Sequence, residues 1–125
     1  MLSHVSIGVR DVEAARRFYD PVMAAIGAKC LAHGEGYAGY GTEAPVFWLN
    51  ETEHPVAPDR RSGLHFCFDA PNREAVDAFH VAALKAGGKD NGKPGLRPDY
   101  GPDYYASFAI DPDGYRIEAY VGGPA

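Results

Sequence analysis

Cysteine is scarce in this chain: there are two among 125 residues, Cys30 and Cys67, with no Cys-x-x-Cys spacing. That excludes a zinc knuckle and a disulfide framework, and it suits a reducing, cytoplasmic setting. Long apolar runs are missing too. None approaches the roughly 20 residues that a bilayer-spanning helix needs. Met1 leads straight into "LSHVSIGV", without the basic n-region and apolar core of a signal peptide, so a cytoplasmic location is expected. Positive charge is also in short supply, with 12 Lys and Arg against 17 Asp and Glu and a formal net charge of −5. The basic residues are scattered, and "DRR" at 59–61 is the single cluster. Nucleic acid and anionic membrane are therefore not expected partners. A small molecule is. Eight tyrosines and six phenylalanines suit a partly apolar pocket, and equally an ordinary core.

Against these absences stands a duplication. "HVSIGV" (4–9) reads as a strand, Asp11 as an N-cap, and "VEAARRFYDPVMAAIG" as a helix stopped by Gly27. Pro21 inside that helix is expected to kink or split it. "YAGYG" and "VFWLN" form a hairpin, and 51–63 is a linker. The pattern then restarts with strand "LHFCFD", Asn72 as cap, and a helix ended by Gly87–Gly88. Residues 91–103 read as loop, and "YYASFAI" with "YRIEAY" closes the chain as a hairpin. His4 and His65, Phe18 and Phe79, and Gly27 and Gly88 are each 61 positions apart. The expectation is α+β: one domain, 1–125, made of two tandem βαβββ modules, 1–57 and 62–125. Their sheets curl into a barrel-like cup with the helices outside.

Strand alternation then selects side chains. Val5, Ile7 and Val9, like Phe66 and Phe68, form the faces that need helical cover. His4 and His65 must point the other way, and so does Glu118 in the last strand. Two imidazoles and a carboxylate on rigid strands make a three-ligand site for a divalent cation: Zn, Fe(II), Mn, Co or Ni. Such a cation offsets the cost of placing Glu118 in a sheet-lined pocket. Each residue also has an ordinary reading: a frayed terminal His4, a hydrogen-bonded core His65, an exposed Glu118. His33, His54 and His80 read as surface residues.

The segments "HVSIGVRDVEAARRFY", "LHFCFDA" and "DPDGYRIEAY" together resemble the vicinal-oxygen-chelate superfamily, which comprises glyoxalases, bleomycin resistance proteins and extradiol dioxygenases. The resemblance spans nearly the whole chain, and the stretch "DNGKPGLRPDYGPDYYASF" looks like a bacterial glyoxalase-like subgroup. It implies paired βαβββ modules, a metal in the cup, and a homodimer. It maps the metal ligands to His4, His65 and Glu118. The fourth ligand of glyoxalase I, a glutamate in the last strand of the first module, has no counterpart, because "VFWLN" places Phe47, Trp48 and Leu49 there. The pattern is therefore His-His-Glu and not a four-ligand glyoxalase I. The implied chemistry is a metal-dependent lyase, isomerase, transferase or dioxygenase reaction on a small substrate chelated through two neighbouring oxygens. A binding or resistance protein using the same cup without turnover is the alternative.

Around that triad, Tyr104 and Tyr105 at the start of the closing hairpin are candidates for acid or base work beside Glu118. Arg116 and Tyr120 share the Glu118 face; the first suits an anionic substrate group, the second a hydrogen bond to ligand or water. Trp48 is a candidate pocket wall, and Cys67 a soft neighbour of the metal. Packing or solvation is the ordinary reading of each.

Overall fold

A computed structural model describes residues 1–122. Its elements run β1 (Val5–Val9), α1 (Val12–Ala25), β2 (Lys29–Gly34), β3 (Tyr37–Gly41), β4 (Phe47–Glu51), a 3-10 turn (Arg60–Ser62), β5 (His65–Asp69), α2 (Arg73–Lys85), β6 (Lys89–Leu96), β7 (Tyr105–Ile110) and β8 (Arg116–Val121). They form two mixed four-stranded sheets, ordered β1-β4-β3-β2 and β5-β8-β7-β6. The sheets do not close into a barrel. In each, the first strand of the module pairs in parallel with its last strand, and the rest is antiparallel. The two βαβββ units are thus the same object built twice. Among the described residues, no helix is long and apolar enough to cross a membrane.

The helices start where their caps say. Asp11 Oδ1 accepts from the Ala14 N–H at 3.1 Å, and Asn72 Oδ1 from the Ala75 N–H at 2.8 Å. They stop at Gly27 and Gly87, whose φ values of +84° and +103° are the left-handed exit that glycine takes most easily. The functional match to Gly27 is thus Gly87 and not Gly88, because α2 is one residue shorter than α1.

Pro21 does not split α1, which runs unbroken through it. Its ring is exposed, while Phe18, Tyr19, Val22 and Met23 around it are buried. Proline in a helix interior costs about 3 kcal/mol, and each fully buried large apolar side chain contributes about 1.5–3 kcal/mol. The packing wins. The stretch 91–103 is not all loop either, since β6 occupies its first part, with irregular register at Gly92. As the outer strand of its sheet it tolerates Pro94, which would break a central strand.

The core lies where α1 and α2 pack on each other and on the inner faces of the sheets. Two hydroxyls strap the modules together. Tyr19 of α1 donates to Asp111 Oδ2 in the β7–β8 turn at 2.5 Å, and Tyr115 donates to the Gly8 carbonyl in β1 at 2.6 Å. Phe47 adds edge contacts to Phe66 and Phe68, with ring centroids 5.6 and 5.0 Å away.

Candidate functional site

The site follows from the register of the second sheet. Cys67 of β5, Glu118 of β8 and Phe108 of β7 sit on one rung, and His65 and Arg116 face each other on the next. Ser107, one residue off that set, points the other way and donates to the Val76 carbonyl of α2 at 3.0 Å. The face bearing Glu118 is therefore the one turned away from the helix.

Glu118 is the chemical centre of this face. It is 3% exposed, and both its oxygens are engaged. His65 Nε2 lies 2.8 Å from Oε1, and the Tyr104 hydroxyl donates to Oε2 at 2.6 Å. A buried carboxylate must be matched in this way, because an unpaired one would cost several kcal/mol. Phe108 stacks on the His65 ring at 6.2 Å, and Tyr120 on the Tyr104 ring at 4.8 Å. Burial, and then the hydrogen bond to Glu118, hold the Tyr104 phenol well above its ordinary range, so it stays protonated. Partial burial and the Glu118 charge push the Cys67 thiol up to about 12, so Cys67 is no thiolate at neutral pH. The face opens onto a cavity of about 470 Å³ whose rim includes Arg60, Asn91, Tyr100 and Arg116.

The residues singled out in the sequence divide as follows. His65, Glu118, Tyr104, Arg116, Tyr120 and Cys67 share this face. Tyr105 does not: it lies on the helix side of β7, donates to Asp77 Oδ1 at 2.7 Å, and carries Arg73 over its ring at 5.0 Å. His4 is exposed just before β1, with Nδ1 2.6 Å from the Ser3 hydroxyl. It borders a groove at the seam between modules together with His65 and Cys67, but it does not join Glu118. Among the described residues, no group of three His, Cys, Asp or Glu side chains is placed to hold a metal ion. One imidazole and one carboxylate from this chain suit a borderline divalent cation, and a third donor is needed from elsewhere. His80 is not a surface residue. It is 7% exposed on α2, with Nε2 2.8 Å from Asp90 Oδ1.

Trp48 belongs to the first sheet, on the rung of Ser6 and Gly39. Its ring lies flat on Gly39, where an added Cβ would come within 2.7 Å of the indole. Arg60, Asn91, Tyr100 and Phe108 escaped the sequence reading. The closing hairpin held a signal for Phe108: its register sets Phe108 opposite Glu118. The other three come from loops and an outer strand, whose placement no periodicity reveals.

The sequence matches the model of the Glyoxalase/Bleomycin resistance protein/Dioxygenase superfamily over residues 1–119. No curated protein matches it. Among solved structures, a glyoxalase/bleomycin resistance protein from Albidiferax ferrireducens T118 is 29% identical, with TM-score 0.85 over 98% of this chain and 99% of that one. A glyoxylase/bleomycin resistance protein/dioxygenase domain from Frankia sp. EAN1pec is 23% identical, with TM-score 0.72 over 98% of both chains. The fosfomycin resistance protein FosX from Mesorhizobium loti is 20% identical, with TM-score 0.72 over 98% of this chain and 92% of that one. The last two likenesses concern the fold alone.

Proposed function

We propose, for a chain that belongs to the Glyoxalase/Bleomycin resistance protein/Dioxygenase superfamily, a divalent-metal-dependent enzyme acting on a small oxygenated molecule in the cup lined by the second sheet. The observation that carries this reading is the buried Glu118 joined to His65 and Tyr104 at the wall of a cavity. His65 and Glu118 would hold the cation, with the exposed His4 of a second copy as third ligand in a homodimer. Bound there, the cation would act as a Lewis acid toward two neighbouring substrate oxygens. The chain's own groups do the rest. Tyr104, protonated, spends its one O–H on Glu118, and it would donate to a substrate oxygen that gains charge by turning from that carboxylate. Phe108 and Tyr120 brace His65 and Tyr104 by ring stacking. Cys67 stays a neutral thiol. Trp48, standing where the first module would need a carboxylate, packs on Gly39 outside the lining of this cavity and leaves the site short of the four ligands of a glyoxalase I. Reaction in the cytoplasm fits the two free thiols.

One observation favours a second reading, a binding or resistance protein without turnover. Both oxygens of Glu118 are already satisfied within the chain. Metal analysis of untagged protein from metal-supplemented cells separates the two. Stoichiometric metal that falls away in His65→Ala and Glu118→Ala, with circular dichroism unchanged, is the expected outcome for the enzyme. Metal-free parent protein supports the binding reading, and parent-like metal content in both variants removes the ligand assignment.

A further inference from the structure

Two guanidinium groups stand at the rim of the Glu118 cavity without an opposing charge. Arg60 and Arg116 both line it. Among the described residues the arginines that form ion pairs are Arg16 and Arg61, so neither rim arginine has a carboxylate partner. This is notable in a chain with 17 acidic residues and a net charge of −5. The one carboxylate lining the cavity is Glu118, and its oxygens are taken by His65 and Tyr104. The local field at the rim is therefore positive against a negative whole. A concave, low-dielectric wall concentrates that field.

The backbone under both arginines is held, while the Arg60 side chain itself is exposed. Arg60 opens the 3-10 turn of the linker, which Asp59 caps by accepting from the Arg61 and Ser62 N–H groups at 2.8 and 3.0 Å. Arg116 is half-buried on β8, and its Nη1 donates to the Gly114 carbonyl at 3.1 Å. Most of its five donors remain available. Arg97 plays a different part. It lies over Phe108 at 5.2 Å and spends its N–H groups on the carbonyls of Lys93 and Gly95. It braces the aromatic wall and adds charge behind it.

We infer that Arg60 and Arg116 form an oxyanion subsite, so the ligand of this cavity is a small acid whose carboxylate or phosphonate sits between the two guanidinium groups. The planar fork of arginine matches both oxyanions in two-point contact. Arg116 precedes Glu118 by two strand residues, roughly 7 Å along β8. The ligand is thus short: its acid group lies close to the oxygens that would meet His65 and Glu118. This rests on the proposed function for where the reacting end lies, while the anion contact itself needs no metal.

The test uses chelator-treated, untagged protein and amide shifts in NMR titrations with methylphosphonate, pyruvate and the neutral lactamide. The acids are expected to shift amides around Arg60 and Arg116, and lactamide is not. Arg60→Ala and Arg116→Ala should each weaken the better acid about tenfold, since a hydrogen bond to a charged group is lost. Arg116→Lys, which keeps the charge but not the fork, should fall between. Arg17→Ala on α1 serves as a charge-loss control. The tighter of the two acids identifies the anion class. Equal binding by the parent and both alanine variants, or equal response to lactamide, overturns the subsite. Zinc titration of the same proteins keeps the two readings apart: Arg60→Ala should bind zinc as the parent does, and loss of zinc binding by the parent with anion binding intact would sink the metal reading alone.

Discussion

The two modules share a frame and differ on one face. Residues aligned by register make this plain. Where the second sheet has Glu118, the first has Trp48; where the second has Phe108, the first has Gly39. The large and small members of the central rung have changed places. In the second module Phe108 supports a buried acid, and in the first Gly39 gives the indole a flat seat. One helix position stays the same, since Phe18 and Phe79 are 1% and 0% exposed at matching places, while the strands beneath trade sizes: Ile7 beside Leu49 becomes Phe68 beside Ala119. Duplication kept the frame and the central helix anchor, and refitted the rungs around them.

The comparison can be broken first at its shared part. Phe18→Ala and Phe79→Ala should each cost about 3–5 kcal/mol in urea unfolding, because both leave a cavity at the common core. A large loss for one and a small loss for the other would show that the modules are not equivalent supports.

A smaller effect separates the two β-hairpin turns. Asp111 closes the second, accepting from the Asp113 and Tyr115 N–H groups and from Tyr19, and the first turn has no such carboxylate. Burial raises the Asp111 carboxyl to about 6. The folded chain therefore holds a proton that the unfolded chain, with an ordinary carboxyl near 3.9, has already released. The folded state gains most from this group at low pH. That gain declines as pH rises from about 4 to 6, by about 3 kcal/mol in total. Denaturation across that range should show the decline in the parent and its absence in Asp111→Asn.

Smallest is the rung exchange itself. Gly39→Ala pushes a methyl into the Trp48 ring and should cost about 1–3 kcal/mol by overpacking. Trp48→Ala in the same chain should recover most of that loss, and urea midpoints measure both. Without such coupling, the indole is not seated on Gly39.

Much of the frame was legible in the sequence, because it rests on local rules. Asp11 and Asn72 cap their helices, Gly27 ends one, Gly114 takes the positive φ of the closing turn, and strand alternation gathers His65, Cys67, Arg116 and Glu118 on one face. What was hidden depends on partners distant in the chain. Pro21 survives because neighbouring side chains are buried. His80 looks like a surface residue until Asp90 of the outer strand β6 is brought to it. Tyr104 and Tyr105 are adjacent, so a strand must send them to opposite faces, yet only the register tells which meets Glu118. His4 shows the same limit, since alternation fixes its face and not its distance from the second module.

The paired hydroxyl straps have one more consequence. Tyr19 finds its acceptor in the other half of the chain, and so does Tyr115. Severed at the linker, each fragment would carry a tyrosine whose phenol had lost its mate, together with a stripped aromatic flank around Phe47 or Phe66. Neither piece is built to live alone. A recombinant swap of one half for a distant cousin's would have to transplant these handshakes along with the helix and strands.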